Sequence, residues 1–489
     1  MPPSLLFSLR MSLTFDRVAF LSRLIFTPPL CTSPIGPDAM MLDTASKTIR
    51  SLLMLTAIGL STNVATADDW PQWMGPTRDG NYNETGLVES IPTDGLPIKW
   101  RVPVDGGYAG PAVVGDRIYV MDYQRTKGTL VEDPGTKPKL EGIERLRCLD
   151  ATNGDQIWKY EYPCSYRISY PAGPRATPTV VDGVVAILGA QGDLAVLDAE
   201  SGNVKWHINL PEQFNAPVPT WGFAAHPLVT DDMVVTMVGG TDQAVVAFDR
   251  NTGKVKWKSL SSTDAGYCPP SIIQAGGTTQ LIAWHPHAIA SLNPKTGETY
   301  WTVPLIPDYG MSISQPQHSG EYLFASGIKD KSLMLKLDAD KPAVTEVWAG
   351  APKMSLSVST MTPVIHDGLM FGTDESLGAL VAAKVADGER VWQTYEPVRP
   401  EQKRKLPAGT VFVTRHTASG HYFLFGEDGH FSIADMDADG YHSRGQMKVV
   451  EPTQTAFGRK VVWSHPAYAN QTAYVRNDKE LVAIDLAKP

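Results

Sequence analysis

Three groups of residues have types and spacings that could do chemistry. The first is the acidic stretch DMDADGYHSRGQ at 435–446, which begins like a calcium-binding loop. Such a loop needs a bidentate glutamate at its twelfth position and helices on both sides. Gln446 stands at that position, and no helical pattern flanks the stretch. We therefore interpret these aspartates as residues that cap a turn.

The second group is a histidine pair, His285 and His287, in the segment WHPHA. Two imidazoles at this spacing could bind a metal ion from a turn, but the sequence offers no evident third ligand. His226 and His465 each precede a proline at the start of a predicted strand. Since histidine recurs in such places, we interpret the pair as structural and predict no metal site.

The third group is the cysteines. Cys31 lies near the N-terminus, and Cys148, Cys164 and Cys268 follow at spacings that match no metal motif. Cys148 falls in a predicted core strand, where a buried, small apolar residue fits best. A disulfide between Cys148 and Cys164 stays open as an alternative. The sequence also contains no G-x-S-x-G, H-E-x-x-H or P-loop motif, so it predicts no catalytic residue.

The elements that would position any site are built from a repeat. The segment AFDRNTGKVKW at 247–257 returns as VLDAESGNVKW at 196–206 and as CLDATNGDQIW at 148–158. An acid or amide is followed by Gly four residues later and by Trp eight residues later. The repeat positions are Asp150, Gly154, Trp158, Asp198, Gly202, Trp206, Asp249, Gly253, Trp257, Asn293, Gly297 and Trp301, with looser copies at Asp338 and Trp348 and at Lys384, Gly388 and Trp392. Successive tryptophans lie 44 to 51 residues apart, a period typical of propellers and solenoids.

One repeat unit, TPTVVDGVVAILGAQGDLAVLDAESGNVKW at 177–206, indicates which architecture this is. Four short apolar runs alternate with turn sequences, the pattern of a four-stranded antiparallel propeller blade. The acid caps the last turn and the glycine takes a positive φ there. We expect the tryptophan on the outer strand to cover the flank of the next blade.

Eight such units can be counted. Their first strands begin near Pro111, Pro178, Pro227, Pro269, Pro316, Pro363, Val411 and Pro466. The seventh has no repeat tryptophan, and the eighth stops after Asp485 without an outer strand. The segment PIKWRVPV at 97–104, with Trp100, is predicted to complete the eighth blade and close the ring. The sequence thus predicts an all-β, eight-bladed β-propeller of four-stranded antiparallel blades, closed by an N-terminal strand.

The N-terminal region carries the features of an export signal. Lys47 and Arg50 precede the short apolar run LLMLTAIGL, and the small residues Ala65-Thr66-Ala67 follow. We expect cleavage near Ala67 and a periplasmic or secreted protein, with an uncleaved anchor as the alternative. Residues 1–67 are then presequence and signal peptide, of which 1–39 suggest an over-long start, and 68–489 form one propeller domain without a membrane span.

Composition narrows the classes of partner. Apolar residues make up 43% of the chain and charged residues 19%, which is typical of a folded protein. The formal net charge is −9, and no Lys/Arg cluster provides the basic surface that a phosphate backbone selects. Nucleic acid is therefore not an expected partner.

The repeat resembles a known family. AFDRNTGKVKW matches the tryptophan-docking motif A-x-D-x-x-T-G-K-x-x-W of the pyrroloquinoline quinone (PQQ) repeat propellers. The segments DWPQWMGPTRDG at 69–80, WGFAAHPLV at 221–229 and the stretch 458–486 look like exported PQQ-like propellers of environmental bacteria. The resemblance covers nearly all of residues 69–489 and implies the fold; it says less about function.

The resemblance implies two functional classes. Quinoprotein dehydrogenases hold PQQ and Ca²⁺ over the propeller axis, whereas the propeller lipoprotein of the outer-membrane barrel-assembly machinery binds no cofactor and acts as a scaffold. Many of the dehydrogenases have adjacent cysteines, large insertions and an acidic Ca²⁺ site. No adjacent cysteines or matching acidic motif occur here, and the longest insertion, at 124–143, has the composition of a surface loop. We therefore expect a non-catalytic binding or scaffolding protein without a cofactor, with the quinoprotein oxidoreductase as the alternative.

A binding surface is predicted where loops converge on one face of the ring. Aromatic residues with arginine are enriched in binding hot spots. The predicted face consists of Tyr108, Tyr166, Arg167, Tyr170, Arg175, Trp221, Phe223, Tyr267, Trp284, Tyr309 and Met311. It would bind an unidentified protein or small molecule. Packing of the loops is the alternative role for each residue, and a glycan-binding module is a third class.

Overall fold

Short runs of β-branched and other apolar residues form nearly every element of the structure, a computed structural model that describes residues 68–489. The predicted presequence, signal peptide and cleavage site near Ala67 lie outside the described residues. The first two strands are β1 (Asn81–Tyr82) and β2 (Ile98–Pro103). One short helix, α1 (Leu210–Phe214), and a 3₁₀ turn at Asp308–Gly310 lie in loops.

The first four blades follow in chain order. Blade 1 comprises β3 (Ala112–Val114), β4 (Arg117–Lys127), β5 (Leu140–Asp150) and β6 (Gln156–Tyr166). Blade 2 comprises β7 (Thr179–Val181), β8 (Val184–Leu188), β9 (Asp193–Asp198) and β10 (Val204–Asn209). Blade 3 comprises β11 (Leu228–Val229), β12 (Met233–Met237), β13 (Val245–Asp249) and β14 (Val255–Ser259). Blade 4 comprises β15 (Ser271–Ala275), β16 (Thr278–His285), β17 (Ala288–Leu292) and β18 (Thr299–Pro304).

The second half repeats the arrangement. Blade 5 comprises β19 (Gln317–Ser319), β20 (Tyr322–Ser326), β21 (Ser332–Leu337) and β22 (Val344–Ala349). Blade 6 comprises β23 (Val364–His366), β24 (Leu369–Asp374), β25 (Ala379–Lys384) and β26 (Arg390–Thr394). Blade 7 comprises β27 (Val411–His416), β28 (Tyr422–Gly426), β29 (His430–Met436) and β30 (Tyr441–Lys448). A two-stranded hairpin, β31 (Gln454–Ala456) and β32 (Arg459–Val461), precedes β33 (Ala467–Ala469), β34 (Thr472–Arg476) and β35 (Glu480–Asp485).

The ring closes as predicted. Strand β2 pairs antiparallel with β35, with Trp100 opposite Ala483, and completes blade 8 in the order β2-β35-β34-β33. The eight-bladed propeller predicted from the sequence is therefore confirmed. Blade 7, the most divergent unit in sequence, is a regular blade to which β1 adds a fifth, parallel strand.

Neighbouring blades contact each other through the repeat tryptophans. An indole N–H donates to a backbone carbonyl in the last turn of the next blade at five junctions. The pairs are Trp100 with Ala151, Trp206 with Arg250, Trp257 with Pro294, Trp348 with Val385 and Trp392 with Asp437. The indole also packs on the repeat glycine: a Cβ added to Gly253, at φ +68°, would lie 2.8 Å from the Trp206 ring. Only glycine fits both the positive φ and this close approach.

Three junctions differ: blade 7 has no repeat tryptophan on its outer strand, and two other indoles make different contacts. The Trp158 indole packs against Gly202, but its N–H has no partner because the Tyr119 hydroxyl donates to the Ala199 carbonyl instead, at 3.0 Å. Trp301 donates within its own blade, to Gln280 at 3.0 Å.

The turns that follow the third strand of each blade have the same local chemistry. The side chains of Asp150, Asp198 and Asp249 accept backbone N–H groups from the turn. Gly154, Gly202, Gly253, Gly297 and Gly388 have φ between +68° and +80°. Asp485 ends β35 and accepts from the N–H of Ala487. An acceptor before a glycine in the left-handed region thus recurs around the ring.

The N-terminal residues 69–82, which we call the axial segment, cross the central channel and contact all eight blades. Trp70 pairs with Val113 of blade 1 and its ring lies 5.2 Å from that of Tyr468 in blade 8. The N–H of Val180 in blade 2 donates to Pro71. At the other end, β1 pairs with β27 of blade 7, and Gly80 lies against Val364 of blade 6.

Arg78 connects the axial segment to blades 3, 4 and 5. Its guanidinium, in a residue only 3% exposed, donates to the carbonyls of Pro227 and Pro270. Its own carbonyl accepts from the side chains of Gln315 and Gln317. A buried guanidinium is stable only when its donors are satisfied, so these bonds fix the segment in the channel.

Candidate functional site

A large cavity opens at the centre of one face of the ring, which we call the loop face. This face is formed by the connections between successive blades and by the hairpins in the middle of each blade. The cavity has a volume of about 910 Å³. It is lined mainly by aromatic and hydroxyl-bearing side chains from nearly every connection. The aromatic lining consists of Trp73, Tyr108, Tyr170, Trp221, Tyr267, Tyr309, Phe457 and Trp463.

The structure brings most of the predicted face together. Tyr108, Tyr170, Arg175, Trp221, Tyr267, Tyr309 and Met311 all line the cavity. Four predicted residues do not. Arg167 is exposed outside the cavity, Tyr166 and Trp284 are buried in blade strands, and Phe223 is buried in the connection before β11. Trp284 donates to the Leu305 carbonyl at 3.0 Å, which accounts for its burial.

One wall is organised by Arg175. Its guanidinium lies 5.0 Å from the centre of the Tyr108 ring and donates to the carbonyls of Ser169, Tyr170 and Gly173. These bonds fold the preceding loop into a tight turn in which Tyr170 has φ +49°. The arginine therefore positions two aromatic rings of the cavity and has most of its donors already engaged.

The neighbouring part of the wall, where Trp463 packs against Tyr170 with ring centres 6.1 Å apart, is organised by a buried carboxylate, Glu427. It accepts from Arg399 and Arg459 at 2.8 Å each and from the indole N–H of Trp463 at 3.3 Å. The Arg459 guanidinium also lies 5.9 Å from the centre of the Phe457 ring. This network holds the β31–β32 hairpin and two aromatic rings against the cavity.

The floor of the cavity belongs to the axial segment. The Trp73 ring stacks on His226 with centroids 4.7 Å apart, and lies edge-on to His465 at 5.4 Å. His226 Nδ1 accepts the Thr177 N–H at 2.7 Å, so this imidazole is neutral. Burial lowers the pKa of both histidines, that of His465 to about 3. Both are therefore packing residues at physiological pH.

Several cavity residues have strained backbones. Tyr170, Tyr309, Lys329, Ala408 and Phe457 line the cavity with φ between +47° and +59°. Left-handed backbone is uncommon for residues other than glycine, and for bulky side chains it costs free energy. Such strain concentrates at functional sites and ligand clamps.

The structure corrects the prediction that the insertion at 124–143 is a surface loop. Its two ends extend β4 and β5, so the connection is only 128–139, and Pro134 and Gly135 in it line the cavity. The sequence indicated a surface loop because the segment is charged and rich in Pro and Gly. Glu132 anchors it by accepting the Thr455 N–H at 2.8 Å. Burial, with a contribution from Asp478, raises the pKa of Glu132 to about 7.

The charges at the cavity are largely compensated within the chain. Lys329 pairs with Asp308 at 3.1 Å and lies 4.8 Å from the centre of the Tyr309 ring. Among the residues that line the cavity, Glu375 is the acidic one, and burial next to Asp374 raises the pKa of its carboxyl group.

The other candidates from the sequence serve local structure. Asp435 accepts from His421 and Arg444, and Asp437 accepts the N–H groups of Asp439 and Gly440. His285 Nδ1 accepts the N–H of His287, and burial lowers the pKa of His285 to about 4. Cys148, Cys164 and Cys268 are free and buried.

We tested whether the cavity suits PQQ and Ca²⁺, which the PQQ-repeat fold implies. Calcium takes six to eight oxygen ligands, usually several carboxylates. Within residues 68–489, no group of three or more His, Cys, Asp or Glu side chains is placed to hold a metal ion. PQQ is a tricarboxylate, and the cavity cations Arg175 and Lys329 already have partners. The donor set therefore does not fit the pair.

The ring, its indole junctions and the axial cavity together define a β-propeller of the PQQ-repeat class. A family model described as outer membrane protein assembly factor BamB matches residues 143–394, which is half of the chain. The chain belongs to this family of PQQ-repeat propellers.

Relatives include both functional classes. The assembly factor BamB of Burkholderia pseudomallei is 23% identical over 74% of this chain and 86% of its own. A quinoprotein ethanol dehydrogenase of Pseudomonas aeruginosa is 29% identical over 41% of this chain, and the alignment spans only 34% of that enzyme. The chain thus spans about a third of the length of this relative.

Solved structures support the fold. BamB from Moraxella catarrhalis superimposes with a TM-score of 0.52 at 15% identity, covering 80% of this chain and 97% of that one. A quinohemoprotein alcohol dehydrogenase from Pseudomonas putida also gives 0.52, at 13% identity, with 86% and 80% covered. These likenesses establish the propeller and do not choose between the two classes.

Key aromatic residues of the cavity were not identified in the sequence. Three such residues lie outside the repeat: Trp73 in the axial segment, Phe457 in the β31–β32 hairpin, and Trp463 just after that hairpin. Trp73 and Trp463 stand in segments that resemble the family, but tryptophan alone does not indicate whether a ring lines a cavity or a core. The His-Pro pairs at 226 and 465 did mark the starts of inner strands next to the floor.

Proposed function

We propose that the protein is an exported, non-catalytic β-propeller that binds a ligand or a segment of a partner protein in its central cavity. The observation that carries this proposal is the group of aromatic residues with strained backbones at the mouth of the cavity. Tyr309 and Phe457 are 71% and 54% exposed, and both have left-handed backbones. Exposed aromatic side chains on strained loops cost free energy, which the rest of the propeller offsets. Such a combination is typical of a recognition surface.

The relatives support a binding role with a protein partner. The alignment spans 86% of the length of the assembly factor but only 34% of the length of the dehydrogenase. The export signal predicted from the sequence at 47–67 supports a periplasmic or secreted location, in keeping with an envelope protein. Among the described residues, no helix has the length and apolarity needed to cross a membrane. We infer further that the repeat indoles act as tryptophan-docking residues, which their carbonyl contacts support.

A PQQ- and Ca²⁺-dependent oxidoreductase is the second candidate, because a quinoprotein ethanol dehydrogenase is 29% identical over 41% of this chain. No residue of this chain is assigned a catalytic role.

Titration of the purified protein with PQQ, with and without Ca²⁺, separates the two candidates. Three tryptophans line the cavity, so a quinone bound there would quench their fluorescence. We expect no saturable, Ca²⁺-dependent quenching and no reduction of an artificial electron acceptor by ethanol. Ca²⁺-dependent quenching together with ethanol-dependent reduction of the acceptor would replace the proposal with the oxidoreductase.

A further inference from the structure

The cavity lining combines flat apolar surfaces with polar tips. Tyrosine and tryptophan present a ring face for packing and carry a hydroxyl or N–H group at one end. Threonine and serine hydroxyls lie between them, at Thr177, Thr220 and Ser359. A ligand that fits such a lining has apolar faces large enough to cover a ring and hydrogen-bonding groups around its edges.

The charges argue for a neutral ligand. The two cations next to the cavity are occupied, Lys329 by Asp308 and Arg175 by three backbone carbonyls. An anionic ligand would compete with Asp308 for the Lys329 charge and would also approach the carboxyl group of Glu375, so these cations favour it little. An aliphatic chain would leave the hydroxyl groups of the lining without partners, which is also unfavourable.

The size of the cavity sets the scale of the ligand. Its volume of about 910 Å³ lies near the upper end of the roughly 300–1,000 Å³ typical of ligand pockets. Pyranose rings have both the apolar C–H face and the hydroxyl edge that the lining requires. A short chain of such rings could contact several aromatic platforms at once, among them Trp221, Tyr309 and Trp463.

From this geometry we propose that the central cavity binds a neutral oligosaccharide, with sugar rings packed on Trp221 and Tyr309. The proposal rests on the proposed binding function and names the class of ligand for the same site. Trp221 packs edge-on to Tyr267 with ring centres 5.6 Å apart, so one platform is held by a neighbour. Tyr309 is held by the left-handed turn at φ +59° and by Lys329.

Calorimetric titration with a panel of trisaccharides tests the proposal. The neutral probes are cellotriose, maltotriose, xylotriose, laminaritriose and N,N′,N″-triacetylchitotriose, and the anionic probe is trigalacturonic acid. We expect at least one neutral trisaccharide to bind, and trigalacturonic acid to bind at least tenfold more weakly than that sugar. No heat from any neutral sugar at 10 mM, or stronger binding of the anionic probe, would overturn the proposal.

Variants locate the binding. Trp221→Ala and Tyr309→Ala should each weaken the selected sugar at least tenfold, because an aromatic platform is lost. Tyr309→Phe keeps the ring and should lose no more than a few-fold. Tyr300→Ala, on outer strand β18, is the matched control and should leave affinity unchanged. Unchanged affinity in both cavity alanine variants, with thermal unfolding like that of the parent, would overturn the assignment to this cavity.

The outcome is distinguishable from failure of the proposed function. Ca²⁺-dependent PQQ binding with ethanol oxidation would remove the binding role itself. Absence of sugar binding without any PQQ response would remove only the oligosaccharide.

Discussion

The rim of the propeller, where the repeat tryptophans join the outer parts of neighbouring blades, and its axis, where residues 69–82 cross the channel, are stabilised by different kinds of contact. On the rim, one contact recurs: an indole packs on a glycine and donates to a carbonyl of the next blade. On the axis, the blades contact a single non-repeated segment through several kinds of group, among them backbone pairing, apolar side chains and the two proline carbonyls that accept from Arg78. The repeat therefore specifies the ring, and the non-repeated residues specify what the ring holds. A repeat motif alone is consequently a poor guide to function.

Removal of the Arg78 side chain should have the largest effect. Arg78→Met leaves the carbonyls of Pro227 and Pro270 without a donor inside the channel. We expect a loss of about 3–5 kcal/mol in unfolding free energy, from the lost charge-assisted bonds and the orphaned acceptors. Denaturant unfolding followed by tryptophan fluorescence measures it.

Arg250→Met is the matched control on the rim. Arg250 forms an ion pair with the exposed Asp182 at 3.2 Å, and such pairs contribute about 0–1 kcal/mol. Equal losses in the two variants would remove the distinction between axis and rim.

A methyl group at a rim junction should have the next largest effect. Gly253→Ala places a Cβ 2.8 Å from the Trp206 ring, whereas Gly183→Ala has the same left-handed backbone but nothing within 4 Å. We expect a loss of about 2–3 kcal/mol for the first and about 1 kcal/mol for the second. Thermal unfolding of both variants gives the difference. If Gly183→Ala lost as much, the junction contact would contribute nothing beyond backbone strain.

Between pH 4.5 and 7, the contribution of a loop-face residue, Glu132, to the unfolding free energy should depend on pH. The pKa of Glu132 is raised to about 7, above that of the unfolded chain near 4.5, so the native protein binds more protons between these values. Stability from this group is present below pH 4.5 and is lost as pH rises through 7, by about 1–2 kcal/mol after allowance for partial exposure.

The buried histidines, whose pKa values are lowered, also titrate on unfolding in this range, and they do so alike in the parent and in Glu132→Gln. The advantage in unfolding midpoint of the parent over Glu132→Gln should therefore shrink as pH rises from 4.5 to 8. Glu200→Gln, at an exposed turn on the rim, is the control and should leave the profile of unfolding midpoint against pH unchanged. A profile in Glu132→Gln with the slope of the parent would mean that another group titrates.

The smallest expected effect is the difference in stability loss between substitutions at two rim junctions. Trp206→Phe removes an N–H that donates to Arg250 at 2.8 Å and should lose about 1 kcal/mol more than Trp158→Phe, whose N–H has no partner. Thermal unfolding of the pair measures this difference. A larger loss in Trp158→Phe would show that the carbonyl bond does not stabilise the junction.

The ring could be predicted because its determinants are local and repeated. The spacing of Asp249, Gly253 and Trp257 indicates a turn, a positive φ and an outer strand, and the missing last strand indicates closure by residues 97–104. The cavity could be predicted only in part. Tyr108 and Trp221 follow from loop position, but Tyr166 and Trp284 stand just as close to strand ends and turn inward.

The role of the axial segment was hidden for a different reason. Arg78 lies about 150 to 190 residues from the carbonyls it reaches, and no sequence pattern encodes such a contact. Trp73, which forms the floor, depends on that placement. Contacts that a non-repeated segment makes only once can be identified in the folded structure but not from a sequence pattern.

Crystals of the purified protein soaked in concentrated glucose test the central claim, that binding belongs to the axis and not to the repeated rim. Glucose combines an apolar ring face with hydroxyl edges and is small enough to reach any exposed aromatic side chain. We predict ordered glucose in the central cavity, packed on Trp221 or Tyr309. Ordered glucose along the outer strands alone, with only water in the cavity, would contradict the account.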